Sequence, residues 1–448
     1  MADEPIIDGQ NDFLIENASL STDRVDGGYS VNIGKLITDF EIYEHLDKPY
    51  LTGKVAFTDS YNIVQKFDFQ GAEKLTISIK SNVHGEAATT ITKEFYVEKI
   101  IRTQKVNQST EIVFLRLIEA IAFESSVQNV NRAFTGTPTQ IIRTIIQQYL
   151  DKDIAMVDDT FQGTIKLIVP NLHPLEAALW VKNRATNADG LPYYMYSVLA
   201  DDQIRVVDLG TMLTSSPINT KYPYTYSQAE TQRTDYGKHT VIQNYDYVQT
   251  EDLLKLIRKG YVGAKYNFID TSTGITQSHD FSVDIDAFDQ LAEKDYFKQK
   301  QPRYNYGPEY KYNETPISNY QSRIVTQISG AGSYSDQGFK TLQQESDIGA
   351  HKKKIVGNAL KNFMTKSPLT IQVSGRDFIS GKGHYTIGNT IRIIFRDNIP
   401  DKQDGGGIDT KKSGDYIVYA ARHMFSTERY DCKLLCAKLA SYVEGGAQ

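Results

Sequence analysis

The amino-acid sequence predicts an α+β chain that is predominantly β, with two similar antiparallel β domains near its ends and an α+β domain and an inserted, peripheral domain between them. Three observations carry that expectation. Apolar residues alternate at period two over 31–118 and again in strand-length runs between 369 and 439. Helical spacing is confined to stretches around 138–182 and 343–363. The order of motifs in the first β stretch also recurs in the last.

At 448 residues the chain exceeds what one hydrophobic core usually supports. A hydrophobic fraction of 40% with 11% aromatic residues is globular, and 23% charged residues of mixed sign exclude a largely disordered protein. With 49 Lys and Arg against 55 Asp and Glu, the net charge of -6 provides no overall attraction to a polyphosphate or an anionic membrane. The opening Met1-Ala2-Asp3-Glu4-Pro5 lacks the basic and apolar regions of a signal peptide, and no apolar run reaches membrane-spanning length, so a cytoplasmic product without membrane insertion is expected. Cys432 and Cys436, four apart on an extended strand, stand roughly 13 Å apart, beyond disulfide reach, and are read as thiols packed on one strand face.

In chain order, Phe40 and Ile42 alternate with Asp39 and Glu41, followed by Val55 and Phe57, then Leu75, Ile77 and Ile79. Residues 95–102 and 111–118 flank a polar connection, 105–110, as a hairpin. The pattern fits a half-buried antiparallel sheet or a barrel. After Thr137-Pro138 the apolar residues Ile141, Ile142, Ile145, Ile146 and Tyr149 take helical spacing, and Pro174 opens a second helix through Leu175, Ala178, Leu179 and Val181. Residues 193–199 and 203–209 then flank Ala200-Asp201-Asp202 as another hairpin. Residues 222–243 read as extended, 252–262 is ambiguous, and 298–320, with five tyrosines and three prolines, reads as an ordered loop or edge. A long helix with Ile348, Ile355, Val356, Ala359, Leu360 and Phe363 on one stripe ends near Pro368, and strands close the sequence, interrupted by a polar loop at 398–413.

The repeat constrains architecture most. Leu51-Thr52-Gly53-Lys54-Val55 is echoed by Leu369-Thr370-Ile371-Gln372-Val373, with Asp59 and Asp377 at equal distances. Gly71 before Leu75, Ile77 and Ile79 is echoed by Gly388 before Ile391, Ile393 and Phe395. Phe95-Tyr96-Val97 with Val113, Leu115 and Leu117 is echoed by Tyr416-Ile417-Val418 with Cys432, Leu434 and Cys436. A chain with two such copies offers six equivalent positions in a threefold assembly. The domain boundaries expected are 1–12 (tail), 13–125 (first β domain), 126–215 (α+β), 216–250 with 343–440 (second β domain and long helix), 251–342 (Tyr-rich insert) and 441–448 (tail).

The run Ile33-Gly34-Lys35-Leu36-Ile37-Thr38-Asp39-Phe40-Glu41-Ile42-Tyr43-Glu44, with Leu51-Thr52-Gly53 and Phe57-Thr58-Asp59-Ser60-Tyr61-Asn62-Ile63, resembles the opening of the baseplate central hub proteins of contractile-tailed bacteriophages. The run from Asp415-Tyr416-Ile417-Val418 to Leu434 is similar to the final tube-like domain of that family. The resemblance implies two tube-like β-barrel domains per chain and a homotrimer forming a pseudo-hexameric ring. It further implies a structural virion protein of the phage tail baseplate, assembled in the host cytoplasm, that adapts the sixfold tail tube to the threefold central spike. Its partners would be the spike, the tube and other baseplate proteins, with genome DNA passing through the lumen without specific binding. The central insert and the 398–413 loop make this chain longer than a minimal hub, and no wall-degrading module is recognisable in it.

Chemistry leaves few candidates, and no catalytic, cofactor-binding or metal-ligating residue is assigned. Asp284, Asp286 and Asp289 suggest a calcium loop, but the sixth position is Asp289 rather than Gly, so a solvated acidic turn is expected. The histidines show no HExxH spacing, and His173 before Pro174 reads as a cap or core residue. Gly330-Ala331-Gly332 lacks the third glycine of a nucleotide loop. Lys352-Lys353-Lys354 after His351 fan around a helix and read as solvated surface, and Trp180 reads as core. The chain is expected not to be an enzyme. A tail-associated peptidoglycan hydrolase or a sugar-binding adhesin, with its site in the Tyr-rich central region, is the alternative.

Overall fold

The computed structural model describes residues 13–24, 28–81, 89–108, 110–157, 163–226, 239–248, 253–270, 276–289, 291, 302–303, 311–329, 348–365, 368–379, 385–396, 407–409, 412–426, 429–438 and 441–442. Seven strands come first: β1 (Phe13–Thr22), β2 (Tyr29–Asn32), β3 (Ile37–His45), β4 (Thr52–Asp59), β5 (Lys74–Ser81), β6 (Thr90–Lys105) and β7 (Glu111–Glu119), with the short helix α1 (Ile63–Phe67) after β4. Period-two alternation puts Phe40, Ile42, Val55, Phe57, Leu75, Ile77, Phe95, Val97, Leu115 and Leu117 on one face, where they meet Ala18 and Leu20 of β1 in a single core. Asp59 ends β4 by accepting the backbone N–H groups of Tyr61, Ile63 and Val64, which turns the chain into α1.

The middle of the chain is α+β, as its periodicity predicts. Helix α2 (Ala120–Ser126) leads to β8 (Ala133–Gly136), α3 (Pro138–Leu150), β9 (Ile154–Met156), β10 (Ile165–Ile168), α4 (Pro174–Lys182), β11 (Tyr193–Ser197), β12 (Ile204–Asp208) and α5 (Leu209–Thr214). Thr137 and Gln140 form a reciprocal capping box at the start of α3, with Pro138 at its first position. Ile141, Ile142, Ile145 and Ile146 face Ala177, Ala178 and Val181 in a second core. β11 and β12 form the expected hairpin, and β9 adds to it in parallel, a pairing no local pattern announces.

The carboxy-terminal part holds β13 (Tyr224–Tyr226), β14 (Asn244–Tyr247), α6 (Leu253–Arg258), β15 (Gly263–Asp270), β16 (Thr276–Ser282), β17 (Ile324–Ser329), α7 (Ile348–Met364), β18 (Leu369–Ser374), β19 (Thr390–Phe395), β20 (Gly414–Ser426) and β21 (Tyr430–Ala437). β15, β16 and β17 form a separate three-stranded sheet. Phe268, Phe281 and Phe288 from this region share one core with Ala359, Leu360 and Phe363 of α7 and with Ile371, Ile393, Val418 and Cys432 of the last strands. Cys432 and Cys436 are free, buried thiols pushed up by desolvation, as packed cysteines should be. The Gly330-Ala331-Gly332 motif and most of the 398–413 loop lie outside the described residues.

The two end regions repeat one strand order. In the amino-terminal set it is β3-β4-β7-β6-β5-β1, and in the carboxy-terminal set it is β14-β18-β21-β20-β19-β13. The correspondence reaches single residues. Leu75 stands opposite Phe95 as Ile391 stands opposite Tyr416, and a bulge interrupts β6 between Val97 and Lys99 as one interrupts β20 between Val418 and Ala420. Ala72 N–H donates to Val97 O and Gly388 N–H to Val418 O, each at 3.0 Å.

Three details correct the sequence alignment. The twin of Gly388 (φ +76°) is Ala72 (φ +69°), one residue beyond Gly71. Leu369 stands opposite Cys436 as Gly53 stands opposite Leu117, so β18 is offset by two residues from the matched Leu-Thr runs, a slip that period-two matching cannot detect. Finally, among the described residues neither set closes on itself, because the edge of β3 away from β4 is taken by β20. The two sets therefore form one continuous 13-stranded sheet, antiparallel except where β13 joins β19.

Gly388 holds a left-handed conformation, and a Cβ there would lie 2.3 Å from Tyr196 Oη, whereas the nearest atom at Gly71 (φ +94°) is 3.7 Å away. Gly71→Ala should therefore cost about 1 kcal/mol through the backbone alone, and Gly388→Ala at least twice that. Thermal denaturation of the two variants side by side checks the order.

Candidate assembly joint

The two strand sets meet edge to edge along β3 and β20. Ala420 to Ser426 of β20 lie antiparallel to His45 to Asp39 of β3, with Phe425 opposite Phe40 and His423 opposite Ile42. The bulge at Tyr419 makes this possible: residues 414–417 of β20 pair with β19, and after the bulge the strand passes to β3. Leu46 N–H donates to Tyr419 O at 2.9 Å, and the Tyr419 ring meets the His45 ring edge-on at 4.9 Å.

The two faces of the joint have opposite chemistry. Inside, Phe40 stacks on Phe425 at 5.8 Å, Phe425 stacks on Tyr430 at 4.3 Å, and Phe13 of β1 meets Phe425 edge-on at 5.1 Å. Next to them His423 and Glu44 are fully buried, with Nε2 and Oε1 3.4 Å apart. His423 Nδ1 lies 2.7 Å from Tyr430 Oη, and Glu44 also accepts the backbone N–H of Leu199, which brings the α+β region onto the joint. Outside, Arg422 reaches diagonally to Glu41, which also accepts the Tyr43 hydroxyl, and these donors hold the Glu41 carboxyl below its usual range against desolvation. Burial, and after it the Glu41 charge, push the neighbouring Asp39 carboxyl up. A shallow groove lined by Tyr43, His45, Thr52, Thr370, Arg422 and Lys433 crosses this outer face.

Below the joint, Asp47 ties three regions together. It accepts from Lys182 of α4, which is 1% exposed, and lies 3.7 Å from Lys361 of α7. The two lysines hold the Asp47 carboxyl below its ordinary range, and burial beside Lys182 pushes Lys361 down to about 8.

The residues singled out by sequence chemistry lie elsewhere and do not converge. Asp284 and Asp286 occupy one helical turn (Asp284–Asp289) but are structural: Asp284 accepts the Ser318 hydroxyl, Asp286 accepts the Ser282 N–H at 2.8 Å, and burial pushes Asp284 up, so the turn is only half solvated. Among the described residues no group of three or more His, Cys, Asp or Glu could hold a metal. His173 occupies the N-cap position of α4, in the cap region expected, but its side chain caps no helix N–H; Nδ1 lies 2.8 Å from Gln128 O instead. Trp180 is partly buried against the α3/α4 core with the Arg184 guanidinium over its ring at 3.8 Å.

The lysine run departs from expectation. Lys352, Lys353 and Lys354 are half-buried rather than solvated: Lys353 donates to Ala188 O, and Lys354 is pushed down by desolvation. His351 is buried and stacks on Phe268 at 5.4 Å. Ala188 in the loop after α4 meets Lys353 and Phe268 of β15 meets His351, contacts distant in sequence. The tyrosines between 298 and 310 lie outside the described residues.

No protein-family model and no curated protein sequence matches the chain. Among solved structures it is similar to the tail protein from Neisseria meningitidis MC58, with a TM-score of 0.50 at 12% identity over 94% of this chain and 96% of that one. Its fold is similar to that of this tail protein. The 43 kDa tail protein of prophage MuSo2 from Shewanella oneidensis matches at a TM-score of 0.49 and 9% identity, over 94% of this chain and 97% of that one. A type VI secretion component of E. coli, described as structurally similar to tail proteins of phage T4, matches at 0.41 and 9% identity over 91% of this chain and 74% of its own. No helix among the described residues is long and apolar enough to cross a membrane.

Removing the Asp47 charge strands Lys182, so Asp47→Asn should cost about 3–5 kcal/mol at neutral pH. Because Asp47 is more acidic folded than its ordinary 3.8, its contribution is present above that pH and disappears as pH falls through the folded value. Thermal unfolding between pH 6 and pH 2 should therefore show a steeper loss for the native chain than for Asp47→Asn.

Proposed function

We propose that this chain is a non-enzymatic structural component of a phage tail baseplate, a homotrimeric hub in which three chains present six similar β modules as a ring. The observation that carries this reading is the repeated strand order, residue-matched through two bulges, together with an edge-to-edge joint that already links two modules within one chain. Each strand set is taken as a tube-like barrel that completes its wall with neighbouring modules rather than by closing on itself. A ring of this kind matches sixfold symmetry on the tube side while remaining a trimer for a threefold spike. The α+β region and the β15–β17 insert are the surfaces offered to the spike and other baseplate proteins, and DNA would pass through the lumen without specific recognition. The chain acts in the virion after assembly in the host cytoplasm.

Mass photometry at micromolar concentration should give a species of about 150 kDa, three times the 50.5 kDa chain, and negative-stain averages should show a ring with six lobes. A monodisperse monomer overturns the reading. Clearing of a peptidoglycan gel that a single Asp or Glu substitution abolishes would place the protein among hydrolases instead.

A further inference from the structure

The internal joint contains its own template for a second joint. In the carboxy-terminal set, β20 pairs with β19 as far as Ile417, bulges at Tyr419, and gives the rest of its edge to β3. β6 repeats this course. It pairs with β5 as far as Tyr96 and bulges at Glu98, and residues 99–105 continue with β7, through a second bulge at Ile101 that β20 lacks, on one side and no strand on the other among the described residues. β14 holds the place of β3: it pairs with β18 on one side, and its opposite edge carries no strand among the described residues. A donor edge and an acceptor edge that meet within the chain in one copy of the repeat thus stand apart in the other.

Carrying the β20/β3 register through the repeat fixes how they would fit. Arg422, opposite Lys433, corresponds to Arg102, opposite Phe114. Ile42, with Gly53 opposite, corresponds to Tyr247, with Leu369 opposite, and hence Glu41 to Asp246. The transferred register sets Arg102 opposite Val248, Gln104 opposite Asp246 and Val106 opposite Asn244. The diagonal Arg422–Glu41 contact of the internal joint then recurs as Arg102 to Asp246, with the charges preserved. Both are exposed, Arg102 lying over the Phe114 ring at 4.2 Å. Ile101, Val106 and Val248, which are 43%, 57% and 42% exposed, are apolar groups that such a contact would cover.

We propose that residues 99–106 of one chain add as an antiparallel strand to the free edge of β14 in a second copy of the same chain, in the register just given, with Arg102 paired to Asp246 of that copy. The contact is head-to-tail, and with the internal joint it alternates around three chains to close six joints. It deepens the ring reading and rests on it.

Two measurements decide it. A Gln104→Cys, Asp246→Cys chain treated with a short bis-thiol cross-linker should run on a denaturing gel as a covalently closed trimer. The pair Lys99→Cys, Asn244→Cys, roughly 20 Å apart in this register, should not cross-link. Cys432 and Cys436 are buried and stay silent. Separately, Arg102→Glu or Asp246→Arg should raise the concentration at which trimers dissociate at least tenfold, and the double reversal should restore it. A stable trimer that neither cross-links at 104 and 246 nor responds to either charge reversal overturns this edge while the hub reading stands. A native chain that stays monomeric overturns both, and ladders growing past three chains overturn threefold closure. The cysteine positions are exposed, so the cross-link reports on the edge even if a charge reversal unsettles the fold.

Discussion

The molecule is organised by one contact, the run of backbone pairs between β3 and β20. Through it a single sheet passes from the first module into the last, by pairing two strands more than 300 residues apart in sequence, residues 39–45 with 420–426. The contact depends on a bulge. An extra residue at Tyr419 lets one strand serve two neighbours in succession, which explains why β20 runs to 13 residues and β6 to 16, longer than any one partner could occupy. Burial of the Phe40, Phe425 and Tyr430 stack fixes the register, since a one-residue slip would turn these rings to water.

Around that contact the polar groups are placed to hold regions of the chain rather than to react. Glu44, His423 and Tyr430 form a chain through the interior of the joint, and Asp47 between Lys182 and Lys361 locks the α+β region and the long helix to the loop after β3. Lys182, 1% exposed, is sensitive to loss of its partner, because an ammonium left behind there has little water and no counter-ion. These polar groups specify which surfaces dock, a task that apolar contact alone performs loosely.

Much of this architecture was legible in the sequence, and the misses have physical causes. Period-two alternation located Phe40, Ile42, Leu75 and Ile77 on a buried face, and the spacing of Ile141 to Ile146 with Thr137-Pro138 located α3 and its cap. The duplication was visible in the β5/β6 and β19/β20 hairpins because their registers coincide. It was misaligned by two at β18, where any even slip preserves the pattern. Strand β1 lacks an alternation strong enough to announce it, and barrel closure could not be weighed because pairing partners are a property of the fold. The half-buried state of Lys352 to Lys354 depends on Ala188 and its loop, which no local pattern connects to α7. The joint did leave a trace: two hairpin strands too long for their hairpins.

The outer edge of β6 bears on the solubility of the chain. A strand edge without a partner is a template for indiscriminate cross-β growth, and among the described residues nothing pairs with this one. Lys99, Arg102 and Lys105 interrupt that edge with cations, so a stray strand must bury positive charge to dock, whereas one offering a carboxylate at the right step need not. The residues that would select the correct neighbour therefore also guard solubility, and weakening the guard would trade soluble chains for inclusion bodies.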